Sequence, residues 1–183
     1  MPISEIAIRY EMEFAGKSRA EVMAKMRKTK NVMLDAIKKG LKKPENSAFG
    51  MAGGSAPKLI KAMKSKKRLI MSRLVTKAMA YATATGETNS AMGRIVAFPT
   101  AGGSGVTPGV ILAAAEEWKC SEEKTIKALF VASAIGIIIA EKATLSAAAA
   151  GCQAEVGAAV AMATAGVTEL RGGTAEQALN ASA

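Results

Sequence analysis

Apolar residues along this chain recur mostly at helical spacing. Val22, Met26, Met33 and Ile37 fall four and seven residues apart, which predicts one buried face of a helix. Ser18 and Glu21 form a capping box ahead of it, and Gly40 is expected to stop it in a left-handed conformation. Upstream, Ile3–Phe14 alternates loosely and is compatible with helix or strand. Downstream, Pro44–Gly54 predicts a loop, whose Gly50-Met51-Ala52-Gly53-Gly54 either approaches a ligand or simply turns. Ser55-Ala56-Pro57 starts a further helix, with proline in its first turn. Met71–Thr85 predicts another, ended by Gly86, and Thr88–Phe98 is apolar with Asn89 and Arg94 embedded.

Pro99–Gly105 breaks the pattern. Thr107-Pro108 is expected to reopen a helix, threonine as cap and proline in first position, running to Trp118. Ser121-Glu122-Glu123 caps the next helix and sets acids at its positive end. That helix is apolar nearly all round from Ala128 to Ala140 and is therefore expected to be central. Ala143–Leu170 predicts one or two Ala-rich helices, closed by Gly172-Gly173, and Thr174-x-x-Gln177 opens a last one. The expected fold is all-α, a multi-helix bundle of Ala/Gly-rich helices. The 183 residues read as one domain in two stretches, a basic one over about 1–86 and an Ala/Gly-rich one over about 87–183 that carries the candidate chemistry.

Composition sharpens this. Half the residues are apolar yet seven are aromatic, so the core rests on Ala, Met, Ile, Leu and Val, which suit close-packed helices. There is no histidine, which excludes His-based nucleophilic catalysis and His metal sites. Cys120 and Cys152 are too few for a disulfide scaffold or a four-cysteine site. The apolar run 128–140 is shorter than the ~20 residues of a membrane span, and 143–167 carries Gln153 and Glu155 in its middle. A buried helical core is expected there rather than a membrane hairpin. No leader is apparent at Met1-Pro2-Ile3-Ser4-Glu5, which points to the cytoplasm.

Charge is uneven. Lys17–Lys77 holds 18 Lys and Arg against Glu21, Asp35 and Glu45, a net of +15, and Lys64–Arg68 is its densest run. The remainder is net −5. No nucleic-acid-binding motif accompanies the basic stretch, and aromatics for stacking on bases are nearly absent from it. It predicts a solvated face or one that meets an acidic partner, not a nucleic-acid interface.

Two stretches offer chemistry. Pro99-Thr100-Ala101-Gly102-Gly103-Ser104-Gly105 leads into a helix N-terminus, where backbone N–H groups and the helix dipole suit a carboxylate or phosphate. The spacing does not match a phosphate loop. Gly151-Cys152-Gln153-Ala154-Glu155-Val156-Gly157 sets a thiol, an amide and a carboxylate in an apolar helix. A buried Glu155 needs a partner, a ligand or a helix end. Cys120, beside Lys119 at a helix junction, reads as an incidental thiol.

With these two stretches, further elements fall in order: Glu11-Met12-Glu13, Asn89-Ser90-Ala91-Met92-Gly93, Gly105-Val106 with Pro108-Gly109, and Gly172-Gly173-Thr174 with Glu176-Gln177. Together they cover nearly the whole chain. The sequence resembles the alpha subunits of iron–sulfur-dependent L-serine dehydratases. The resemblance implies a [4Fe–4S] cluster held by three cysteines, of which Cys152 is the one present. It implies deamination of L-serine to pyruvate and ammonia, with L-serine and a beta subunit or domain as partners. A homo-oligomer is allowed, and neither nucleic acid nor membrane is expected. Asn89, Thr100, Ala101, Gly102, Gly103, Ser104, Gln153 and Glu155 become candidate substrate-binding residues. No residue is assignable as the α-proton base. Two departures stand out. The family chain continues to two more cysteines, so this one is expected to be incomplete at its C-terminus. Lys142 replaces a usual asparagine, and Ala147 and Ala150 replace glycines. The alternatives are a non-catalytic fragment or partner-binding module, and a related L-cysteine desulfidase.

Overall fold

The structure, a computed structural model, describes residues 1–42, 47, 50–65 and 69–183. Among them it is all-helical: α1 Ile3–Ala15, α2 Arg19–Lys42, α3 Ser55–Lys64, α4 Arg73–Ser90, α5 Val106–Glu117, α6 Glu122–Lys142, α7 Ala147–Ala150, α8 Cys152–Leu170 and α9 Ala175–Ser182. Residues 44–46 and 48–49 of the Pro44–Gly54 loop and 66–68 of the Lys64–Arg68 run lie outside the described residues.

Local signals set several ends. Glu21 N–H donates to Ser18 Oγ while Ser18 N–H donates to Glu21 Oε2. Ser121 accepts from Lys124 N–H, and Thr174 and Gln177 complete a reciprocal box at α9. Ile3–Phe14 resolves as helix, ended by Gly16 in the left-handed region.

Two glycines act differently from their expected role as stops. α2 runs through Gly40 and α4 through Gly86. At Gly40 a Cβ would drive into the Ala84 carbonyl, so glycine there lets α2 lie directly on α4. Gly86 is itself exposed, with nothing near a Cβ there, and the helix continues through it. The main core gathers Met33 and Ile37 of α2, Ile111 of α5, Leu129 and Val131 of α6 and Met162 of α8. A second cluster joins Ala7 and Ile8 of α1 to Val22, Ile126 and Phe130. Close approach recurs on α8, where Gly166 admits the Ile111 side chain.

α6 is central only in part. Thr125–Gly136 is largely buried, but Ile137, Ile138 and Ala140 are exposed, because no described element covers that side of its last turns. No helix among the described residues is long and apolar enough to cross a membrane.

Candidate functional site

One end of the bundle collects the candidate residues. α5 begins where Gly105 and Gly109 sit on Ala82 of α4; a Cβ on Gly105 would lie 2.5 Å from the Ala82 carbonyl oxygen, and one on Gly109 2.8 Å from its nitrogen. Asn89 stands seven residues beyond Ala82, two helical turns along the same face of α4, so it lies at the end where the loop enters α5. Its side chain makes no hydrogen bond within the described residues.

The loop is folded by its own polar groups. Phe98–Pro99 is cis. Gly103 N–H donates to Thr100 Oγ1 at 3.2 Å, and the buried Ser104 hydroxyl donates to Ala101 C=O at 2.7 Å. Ser104 therefore holds the loop and has no proton to offer a ligand. The N–H groups of Thr100, Ala101 and Gly102 make no bond among the described residues. Ala101 and Gly102 are exposed.

Thr107 is not the helix cap it was expected to be. α5 starts two residues earlier than expected, at Val106 with Gly105 as its N-cap. The fully buried Thr107 hydroxyl instead lies 2.9 Å from Ala159 C=O and 3.2 Å from Phe98 C=O, so its one proton bridges α8 and the start of the loop. Nothing in the local sequence signals this role, since both acceptors come from elsewhere in the chain.

α8 presents its first turns to the loop. A Cβ on Gly103 would lie 3.1 Å from Glu155 C=O and 3.2 Å from Ala159 Cβ, while one on Gly102 would strike the Glu155 carboxylate. A side chain at Gly102 would displace the Glu155 carboxylate, and one at Gly103 would push its two neighbours back by a few tenths of an ångström. Glu155 is half-buried, forms no ion pair among the described residues, and lies in the first turn of α8, where the helix dipole favours a carboxylate. The helix end expected for it is the partner it has. One turn earlier, Cys152 opens α8 and is exposed. Its Sγ lies 3.7 Å from Gln153 Oε1, which folds back over Gly151. Gly151 has φ +77°, a conformation suited to glycine, and so sets the sharp entry to the helix.

Of the residues selected from the sequence, Gly102, Gly103 and Glu155 stand in direct apposition, with Cys152 and Gln153 about one turn earlier on α8. Cys120 does not join them. It follows the C-terminal end of α5, a helix about 18 Å long whose N-terminus carries the loop, and it packs partly buried against the main core. No group of three His, Cys, Asp or Glu among the described residues is placed to hold a metal. The donor set of this chain, one accessible thiol, does not by itself fit an iron–sulfur cluster, which needs several thiolates.

The loop N–H groups and the Glu155 carboxylate thus stand together near the N-termini of α5 and α8 in an all-helical bundle. The chain belongs to the family described as serine dehydratase alpha chain, which matches residues 1–183. It is 42% identical over 181 residues to the probable L-serine dehydratase alpha chain of Bacillus subtilis, covering 99% of this chain and 60% of that one. It is 35% identical over 179 residues to the L-serine dehydratase alpha chain of Peptoniphilus asaccharolyticus, covering 98% and 61%. The L-serine dehydratase TdcG of Escherichia coli is 33% identical over 178 residues, covering 92% and 38%. The chain thus spans about three-fifths of the length of the two alpha chains it matches.

Proposed function

We propose that this chain is the substrate-holding part of an L-serine dehydratase alpha chain, working with a beta subunit or domain to convert L-serine to pyruvate and ammonia. One observation carries the reading. Unbonded N–H groups of the 100–102 loop lie beside the Glu155 carboxylate. A zwitterionic α-amino acid is the complement of that pair, its carboxylate on the N–H groups and its ammonium on Glu155.

In the reaction the α-proton is removed and the Cβ–O bond breaks, so that the hydroxyl departs as water. The resulting enamine tautomerises to an imine, which hydrolyses to pyruvate and ammonium. On this reading the chain's own residues bind and orient. Thr100, through Gly103, and Ser104, through Ala101, fix the loop, while Asn89 and Gln153 offer amides at the rim. Cys152 would be the single ligand contributed here to a four-iron cluster whose remaining ligands lie outside these residues. The proposed setting is the cytoplasm.

The test uses the anaerobically assembled enzyme, complete in its alpha and beta parts. Glu155→Gln is expected to raise the KM for L-serine about tenfold, the scale of one charge-assisted hydrogen bond, and to leave inhibition by glycerate, which lacks the ammonium, unchanged. Equal weakening of both ligands, or of neither, overturns the assignment. Turnover of L-cysteine in preference to L-serine would assign the chain to the desulfidase reading. Assembly without turnover of either would leave a partner-binding module.

A further inference from the structure

A helix apolar on every side is ordinarily buried on every side. α6 breaks that rule over its last turns, where Ile137 is 39% and Ile138 48% exposed. Facing them, α1 carries Ile6, Tyr10 and Phe14 four residues apart on one stripe, 49%, 48% and 78% exposed, with the last two rings stacked. Between the stripes lies a cavity of about 420 Å³ whose inner wall is Val22, Phe98, Phe130 and Ala134. Its rim carries the Lys25–Glu11 ion pair, Thr29 and Glu141. Two apolar stripes with a groove between them and charges at the edge are what an amphipathic helix fits.

We propose that this groove receives an amphipathic helix from the part of the alpha chain that the relatives possess and these 183 residues do not span. The relatives are matched along nearly all of this chain, yet some two-fifths of each lies outside the match. That segment is the occupant whose length and family membership are on hand. The cavity wall includes Phe98, whose carbonyl is tied through Thr107 to α8, so the occupant would brace the loop from behind. The inference rests on family membership and not on the serine chemistry.

The test joins the unmatched segment of the Bacillus subtilis relative to this chain and follows alkylation peptide by peptide. A thiol introduced by Ile138→Cys is expected to react roughly tenfold or more slowly in the joined chain than in this chain alone, as a half-exposed position becomes buried. A thiol from Lys38→Cys, exposed near the far end of α2 and absent from the groove wall, should react equally in both. Equal reaction of the Ile138→Cys thiol in both chains overturns the proposal. So does its protection in this chain alone at the mass of a dimer, which would assign the groove to a second copy. A measurement independent of the joined chain is the binding of an apolar fluorescent dye, anilinonaphthalene sulfonate. Ile138→Lys should reduce its enhancement on this chain, and an unchanged signal means that the groove is not open.

Discussion

The contact that sets the loop on the bundle is the approach of Gly105 to α4, and it makes a sharp prediction. Gly105 has φ −86° and ψ −30°, an ordinary helical conformation, so alanine there meets no backbone penalty. What it meets is the Ala82 carbonyl, with oxygen at 2.5 Å, carbon at 3.2 Å and Cα at 3.3 Å from the new Cβ. All three are backbone atoms inside α4, which cannot rotate away. Overpacking of this kind costs about 1–3 kcal/mol. In a chain of this length that corresponds to a fall in Tm of about 3–10 °C. Gly86→Ala supplies the contrast. Gly86 lies within α4 with nothing within 4 Å of a Cβ, and alanine there should stabilise by about 0.5–1 kcal/mol. The same change thus has opposite signs at two glycines 19 residues apart. Thermal unfolding followed by circular dichroism reads both. Gly105 is also an N-cap, and Gly105→Ser separates cap preference from packing, since serine is a good cap but carries the same Cβ. All three effects follow from the packing only if Gly105→Ser is also destabilised. A Gly105→Ala or Gly105→Ser protein as stable as the parent would refute the reasoning.

Other outcomes follow from the same structure. Thr107→Val keeps the shape but removes the proton shared by Ala159 and Phe98; it should cost about 1–3 kcal/mol in chemical denaturation, and Thr107→Ser should recover most of it. Thr174→Ala removes one half of the α9 box and should cost about 1 kcal/mol, read as faster amide exchange confined to α9. The Glu116–Lys77–Tyr81 cluster joining α5 to α4 predicts a pH dependence. Burial pushes the Glu116 carboxyl up, but the Tyr81 hydroxyl and Lys77 outweigh it and hold it below its usual 4.5. Its contribution is therefore complete above 4.5 and is lost as pH falls below that value. Burial lowers Lys77, but Glu116 and Glu117 outweigh that and raise it above 10.5, so its contribution is complete below 10.5 and is lost as pH climbs beyond. Tm measured against pH should fall less steeply in acid for Glu116→Gln than for the parent, and matching slopes would exclude the cluster as a cause.

What could be read from the sequence was what is local. The boxes at Ser18 and Thr174 and the cap at Ser121 depend on residues within three positions, and each forms as expected. The glycine loop and the 151–157 stretch were identifiable because their residue types are unusual for packed helices. Long-range partners escaped. Gly40 resembles a stop until Ala84 is seen against it. Thr107 resembles a cap until Ala159 appears, 52 positions away. For Glu155 a partner, a ligand or a helix end was expected, and the structure places it half-buried in the first turn of α8. The exposure of Ile137 and Ile138 was invisible for another reason: an all-apolar helix tells of covering, not of which chain supplies it.

The central claim is that the glycine loop and the start of α8 form the L-serine site of a dehydratase. It is tested most directly by pyruvate release from L-serine in the complete, anaerobically assembled alpha–beta enzyme, comparing the parent with Cys152→Ser. Turnover by the parent and its loss in Cys152→Ser are expected, with the folded alpha chain and its assembly intact, since Cys152 is an exposed residue at a helix start. Full turnover by Cys152→Ser, or none by the parent, would contradict it.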